Sequence, residues 1–385
     1  MDQRRTVTIA GGGIAGLALA AALDPARFDV TIVEPRAELP EVATSLAMWP
    51  EAQRALTELG ILDGLAAASP HITRFPIRRI DGRPFVASEV PESPLIGRRD
   101  LLGALEAAVP AGVRRVRARF GEAEAGSRDG RDGRDGRDGR GGRGGRGGPG
   151  GGLVVGADGV HSAVRRLVWP QQAQAVATPF LAVRGVLTEP TDPADQGEYW
   201  GRGQLVGVGP HRSGTNWYMS FRSSLGPRDV DVAAALDEAR AHLGAAGRTA
   251  TALRRTLDAA TPATTLAQRI WVSPALPSYV RDRNVLIGDA AHAMTPNLGR
   301  GGCEALVDAV TLARLLSAGP TEGALAAYDR ERRRRTRRLA VMSSRVMRVA
   351  TADRAQPLRD LLLTGVSLVA GGGRARHGWE SAPAR

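Results

Sequence analysis

Residues 6–34 read TVTIAGGGIAGLALAAALDPARFDVTIVE. Residues 6–10 are a β-type run, and Gly11-x-Gly13-x-x-Gly16 follows directly. Residues 14–23 are rich in Ala and Leu, strong helix formers, and Pro25 stops that helix just past its end. Residues 30–33 make a second strand that ends at Glu34. The spacing predicts a parallel β–turn–α–β crossover of about 30 residues. Each glycine has its own task in such a unit. Gly11 permits a tight turn, Gly13 lets a pyrophosphate approach the backbone, and Gly16 lets helix and strand pack closely. Ile14 and Ala15 open the helix whose unpaired N–H groups and dipole favour the phosphates. Glu34, followed by Arg36, offers a carboxylate to an adenosine ribose and repels a 2′-phosphate. The motif predicts dinucleotide binding. By itself it does not separate NAD from FAD.

The 385 residues are 43% hydrophobic and 24% charged, the balance of a folded chain long enough for two packed domains. Bulk disorder is excluded. A lone cysteine, Cys303, excludes a disulfide scaffold. No apolar stretch approaches the ~20 residues of a spanning helix. The net charge is +12, and every one of the 52 basic residues is arginine. Lysine chemistry, a Schiff base included, is therefore out of reach for this chain. Arg4 and Arg5 before an alanine-rich stretch superficially resemble a twin-arginine export signal, but the glycine cluster between strand and helix has no place in one. A cytoplasmic protein is expected, with no membrane partner.

Residues 127–152 are low complexity: four Arg-Asp-Gly units from Arg128, then Arg-Gly-Gly units and glycines. Such a composition buries no core and reads as a surface loop. Arg-Gly-Gly repeats also occur in RNA-binding tails. Here no aromatic residue interleaves them and aspartates cancel part of the charge, so no nucleic acid is expected. Further along, residues 75–90 read as a hairpin with its turn at Asp81–Gly82, and residues 99–109 as a helix. Residues 153–155, 180–187, 204–208, 217–221 and 285–287 read as strands. Residues 233–243, 249–257, 304–316 and 325–349 read as helices. The arginine block at 332–338 reads as a solvated helix face.

Two more strand–turn–helix units carry an acid in the turn. One is Gly156-Ala157-Asp158-Gly159-Val160-His161-Ser162 with Arg165. The other is Gly288-Asp289-Ala290-Ala291-His292, continuing through Pro296-Asn297-Leu298-Gly299-Arg300-Gly301-Gly302. With the first motif, and in this order, they resemble the single-component FAD-dependent monooxygenases of the aromatic hydroxylase type, the p-hydroxybenzoate hydroxylase superfamily, over residues 6–349.

The resemblance implies an α/β fold: a doubly wound, Rossmann-like FAD-binding domain interleaved with a mixed β-sheet substrate domain, and a C-terminal helix. The FAD domain would take residues 1–70, 98–170 and 280–325. The substrate domain would take 71–97 and 171–279, a helical segment 326–370, and a disordered tail 371–385. Gly11, Gly13 and Gly16 would hold the FAD pyrophosphate and Glu34 its ribose. Arg98 matches an arginine used against the phosphates or ribityl chain. Asp158 matches a residue linked to FAD and NAD(P)H, and Asp289 would bond the ribityl hydroxyls. Pro296, Gly299, Gly301 and Gly302 would line the isoalloxazine ring, with backbone N–H groups stabilising the anion of the reduced flavin.

The implied chemistry has two halves. NADH or NADPH reduces FAD, then O₂ forms a flavin C4a-hydroperoxide that delivers one oxygen to an electron-rich small molecule, aromatic or polyketide-like. A Baeyer–Villiger oxygenase, an epoxidase or a flavin oxidase on the same scaffold is the alternative. A halogenase needs a lysine and is excluded. Candidate catalytic residues are Arg184, Trp200 and Arg300, and the stripe Trp217, Met219 and Phe221, with Met48 opposite, is a candidate pocket lining. Two residues depart from the family pattern: Arg300 stands where relatives carry glutamine, and Glu51 where they carry asparagine. Arg300 either acts on the flavin or a substrate anion, or points to solvent. His292 is as well read structural as catalytic, and Cys303 as a small buried thiol.

Overall fold

The structure is a computed structural model that describes residues 4–38, 44–121, 152–244 and 251–371. The low-complexity tract, apart from Gly152, and the tail from residue 372 lie outside the described residues. Fourteen strands are described: β1 Arg5–Ala10, β2 Phe28–Val33, β3 Ser45–Ala47, β4 His71–Arg79, β5 Pro84–Gly97, β6 Arg114–Val116 and β7 Leu153–Gly156, then β8 Val176–Leu187, β9 Gly197–Trp200, β10 Gln204–His211, β11 Gly214–Arg222, β12 Thr265–Val272, β13 Val280–Arg281 and β14 Asn284–Leu286.

The first sheet has the order β13-β14-β7-β1-β2-β6. It is parallel apart from the β13–β14 pair. β1 lies inside it, with Val7, Ile9 and Ala10 buried, as expected for a strand covered on both faces. The helix Ile14–Ala22 is buried from Ile14 to Ala20 and packs on the helix Gly301–Ala318. Its Ala-rich surface permits that close approach. The open doubly wound sheet brings the ends of β1, β7 and β14 to one edge, where the three glycine-containing turns meet.

The second sheet has the order β12-β8-β11-β10-β9-β4-β5-β3 and is antiparallel except at β4–β9. Its two faces carry different cores. Trp217, Met219 and Phe221 of β11, with Leu181 and Val183 of β8, pack on Ala235, Leu236 and Leu253 of the helices Val232–Gly244 and Thr251–Ala259. This corrects the expectation that the β11 stripe lines a pocket. Period two puts the three residues on one face, and that face is plain core. Met48 is likewise fully buried in the core of the first sheet. The opposite face of the second sheet carries Phe180, Ala182, Trp200 and Leu205, packed on Met347 and Ala350 of the long helix Thr321–Ala350.

Register defines what else shares this second face. Glu198 lies opposite Gly207, Gly207 opposite Tyr218, and Tyr218 opposite Arg184. These residues form one row across β9, β10, β11 and β8. β3, β6, β9, β12 and β13 were not expected from sequence. Four are only two to four residues long, too short for a period to show, and β12 mixes Gln and Arg into its run.

Candidate functional site

The phosphate turn shows which glycines the protein itself requires. Gly11 has φ +106°, and a Cβ there would collide with the Ala157 carbonyl. A Cβ on Gly16 would strike the Gly11 carbonyl. Gly13 is different, because a Cβ there would meet no atom within 4 Å. Folding alone does not explain that glycine, whereas a ligand lying against the backbone does. Gly13 is also the N-cap of the helix Ile14–Ala22, makes no side-chain capping bond, and precedes a first turn free of acids. The helix therefore presents unpaired N–H groups to open space, a ready anion site.

At the other end of β2, the Glu34 carboxylate accepts from the Gly12 N–H at 2.7 Å and from Arg36 Nε at 2.8 Å. Burial raises its pKa, but the bonds from Arg36 and Gly12 outweigh that and hold it below the usual carboxylate range. A cleft of about 360 Å³ opens beside it, lined by Gly12, Glu34, Arg36, Glu106, Arg115 and Arg117. Glu34 is thus already ordered by the phosphate turn and by Arg36, with the cleft beside its carboxylate.

Asp158 has a local task. Its Oδ2 accepts from the N–H groups of Ala163 (2.6 Å) and Val164 (3.3 Å), capping the helix Ala163–Val168, while Oδ1 is buried with no partner among the described residues. Arg165, fully buried, donates to the carbonyls of Val160 and Ala290, the latter at 2.7 Å. It staples the second motif to the third.

Asp289 is exposed although Gly288 and Ala290 on either side are buried. Gly288 enters its turn at φ +58°, and Gly301 lies so near that a Cβ on it would be 3.9 Å from Asp289 Oδ1. Two arginines feel the same carboxylate. Burial lowers Arg98, the first residue of the helix Arg98–Ala108, and Asp289 opposes that. Arg184 on β8 is pushed down to about 10 by burial and by Arg98, against Asp289. Its Nε is buried with no partner among the described residues. A buried N–H donor left without an acceptor is costly unless a ligand completes it.

Between Asp289 and the helix Gly301–Ala318, a 3-10 turn at Pro296–Leu298 leads to Gly299, which is left-handed at φ +59°. Arg300 caps that helix without a side-chain capping bond. A Cβ on Gly302 would lie 3.3 Å from Leu46 and 3.8 Å from Ile14, so this helix start and the phosphate helix start converge. The two unusual residues prove to be partners. Arg300 donates to Glu51 at 3.0 Å, and Glu51 also accepts from Arg335 at 2.7 Å. Arg300 further approaches Glu304 at 3.6 Å and lies 5.5 Å from the Trp49 ring centre. Burial raises Glu51, but Arg335 and Arg300 bring it down to about 2. Arg300 therefore does not point freely into solvent.

Beneath lies a buried layer. Asp308 accepts from His292 Nε2 at 2.6 Å, Arg332 Nε at 2.7 Å and the Gly288 N–H at 2.8 Å, and Arg332 also pairs with Glu304. His292 is thereby a positioning residue for the Gly288–Asp289 turn. Burial raises Asp308, yet His292 and Arg332 bring it to about 2. A carboxyl depressed in the folded state contributes stability above its unfolded pKa, ~3.9, and loses it as pH falls toward 2. Asp308→Asn is expected to cost about 3–5 kcal/mol near neutral pH, because Arg332 loses a buried partner. The deficit relative to wild type should shrink in melts run between pH 4 and pH 2. Burial pushes the Cys303 thiol up to about 12, and it donates to the Ala47 carbonyl at 3.2 Å. It is a neutral buried thiol.

Trp200 donates its indole N–H to Glu198 at 2.6 Å, and Tyr218 donates to the other oxygen at 2.7 Å. Tyr218 lies across Gly207, where any Cβ would collide with its ring. Glu198 and Tyr218 carried no sequence signal, since only strand register makes them neighbours.

A family described as FAD binding domain matches residues 4–343 of this geometry's chain. The chain belongs to that family. It is 32% identical over 336 residues to 2-heptyl-3-hydroxy-4(1H)-quinolone synthase of Pseudomonas aeruginosa, covering 86% of this chain and 85% of that protein. It is 31% identical over 368 residues to the aurachin C monooxygenase/isomerase of Stigmatella aurantiaca, covering 92% of each. Among solved structures, Klebsiella pneumoniae HpxO, complexed with FAD and uric acid, superposes with a TM-score of 0.76 at 21% identity over 95% of each chain. The protein is an FAD-dependent monooxygenase of the aromatic hydroxylase superfamily.

The residues present fit FAD. The unfilled space at Gly13 suits the pyrophosphate, and the cleft beside Glu34 suits the adenosine. The exposed Asp289 carboxylate suits sugar-alcohol hydroxyls, and the uncapped start of the helix at Gly301 suits an anionic ring edge. In the FAD-loaded protein the Arg300–Glu51 pair makes opposite predictions for its two halves. Glu51→Gln removes a negative charge and is expected to raise the flavin midpoint potential. Arg300→Gln is expected to lower it, each by roughly 1 kcal/mol of electrostatic energy, and the double variant should return near wild type. Potentials from dye-coupled anaerobic titration check this. Equal, unchanged values in all three would show that the pair does not reach the flavin.

Proposed function

We propose that the enzyme takes electrons from NADH or NADPH and uses O₂ to place one oxygen atom on an electron-rich, planar small molecule, with water as co-product. Bound FAD supplies the hydride acceptance and the activation of O₂. The chain's own residues hold that cofactor, aim the substrate and exclude water. The observation that carries the reading is Arg184. It is a half-buried guanidinium with an unpartnered Nε, near Asp289 and Arg98, on the face of the second sheet that also bears Tyr218 and Trp200. A cation so poised suits an oxygen acceptor on the substrate, such as a ring carbonyl or phenolate, and the charge that grows there as the ring is attacked.

The 3-hydroxy-4(1H)-quinolone in the name of one relative supports the same substrate type, a ring with a carbonyl oxygen conjugated to an electron-rich carbon. The hydride donor has no second dinucleotide turn in the sequence, which supports transient binding in the cleft shared with substrate. The test is incubation of FAD-reconstituted protein with NADH or NADPH under ¹⁸O₂ and a panel of 4-quinolones and phenols. The expected result is a product carrying one ¹⁸O atom, formed one-for-one with NAD(P)H consumed. Hydrogen peroxide as the sole oxygen product across the panel would count against monooxygenation of this substrate class.

A further inference from the structure

The two C-terminal helices carry a surface that the catalytic reading does not use. From Arg330 the helix Thr321–Ala350 exposes positions 330, 334, 337, 341, 345 and 348 in turn. Steps of three and four residues put these on one stripe. Five of the six are arginines, Arg338 is exposed beside them, and Val341 and Val349 lie in the same stripe, 47% and 45% exposed. Among the described residues, Arg330, Arg334, Arg337, Arg338, Arg345 and Arg348 form no ion pair or hydrogen bond with one another or with any acid. No acid occurs from residue 332 to residue 350.

The helix Gln356–Gly371 follows, and its Leu363 packs on the same cluster, with Phe85 and Trp200, that receives Met347 and Ala350 of the long helix, so the outer sides of both helices face away from one core. The second helix is fixed on its inner side by Arg359, which donates to the carbonyls of Ala350 (2.6 Å), Val349 (3.3 Å) and Gly201 (3.2 Å) and pairs with buried Asp360. Its outer side presents Leu358, Leu361 and Leu362 at 59%, 71% and 61% exposure. These are the most exposed large apolar side chains of the described structure apart from Leu167 at 65%. Spaced i, i+3, i+4, they form a patch, and patches of this kind mark contact surfaces.

A charge run alone reads as a solvated face. Leucines on the adjoining helix, held outward by a buried ion pair, change that reading. We propose that this surface docks the enzyme on an anionic lipid bilayer, the leucines entering the headgroup–acyl boundary and the arginine stripe meeting acidic headgroups. No helix among the described residues is long and apolar enough to cross a membrane, so the contact is with a bilayer surface. Charge complementarity selects this occupant. A second copy brought onto the same face would oppose like arginine stripes.

The experiment is co-sedimentation of the FAD-loaded full chain with vesicles of phosphatidylcholine, with or without about 30% phosphatidylglycerol. Wild type is expected to pellet with the acidic vesicles and to be released by about 0.5 M NaCl. The variant L358S/L361S/L362S, and separately R337E/R345E/R348E, should each weaken binding at least about tenfold while flavin content and melting temperature stay at the wild-type value. No binding of wild type to acidic vesicles would overturn the proposal. So would equal binding to neutral vesicles, or a leucine-dependent dimer in sedimentation velocity without vesicle binding, which would assign the patch to a second copy.

Discussion

Gly13→Asp protein is expected to emerge colourless and fully folded. The new side chain would stand at the helix N-cap, in space where a Cβ meets nothing within 4 Å. An aspartate there caps free N–H groups and complements the helix dipole, so the apo protein should be as stable as wild type or more so by roughly 0.5–1 kcal/mol. The same carboxylate occupies the pyrophosphate position with like charge. FAD affinity should fall by at least about a hundredfold, the loss expected when charge-assisted bonds are replaced by repulsion. Gly16→Ala is the contrasting variant, because its Cβ collides with the Gly11 carbonyl, and it should lose fold and flavin together. Flavin absorbance per protein, with melting of the apo forms, distinguishes the two. A Gly13→Asp protein that still binds FAD tightly would remove the phosphate turn from the site.

Arg184→Met is expected to keep FAD and lose turnover. Arg184 carries an unpartnered Nε, and burial has already lowered its pKa to about 10. Replacing such a charge by an apolar chain of similar length is neutral to stabilising. Loss of a charged donor aimed at a developing oxyanion costs about 10²–10³ in kcat. The measurement is kcat and KM for the labelled product, together with melting temperature. Turnover within about threefold of wild type would exclude Arg184 from contact with substrate or flavin, and a lower melting temperature would give it a structural task instead.

What could be read early follows from how local each feature is. The phosphate turn was legible because its glycines, helix and acid lie within one short crossover and each has a separate steric reason. The Gly288–Asp289 turn and the Gly299–Gly302 helix start were legible as local structure for the same reason. The Arg300–Glu51 pair was visible only as two oddities. Their contact spans 249 residues, and no local pattern encodes it. The β11 stripe illustrates a different limit. Alternation shows that Trp217, Met219 and Phe221 share a face, but not which side of the sheet receives helices and which receives ligand. Here the helices Val232–Gly244 and Thr251–Ala259 cover it, and Tyr218 and Asn216, at the intervening positions, face the site side. Asn216 accepts there from the Ser45 N–H at 2.9 Å, joining the second sheet to β3. Glu198 was hidden because its neighbours arise from register alone.

Hydride transfer from a nicotinamide donor to an FAD held by these turns is tested by the visible spectrum of FAD-loaded protein without oxygen, before and after NADH and then NADPH, with and without a candidate 4-quinolone. The expected result is bleaching of the flavin band by one of the two donors, faster when substrate is present, and return of the band when air is admitted. A flavin that stays oxidised with both donors and every candidate ring, in protein shown to be folded and loaded, would contradict it.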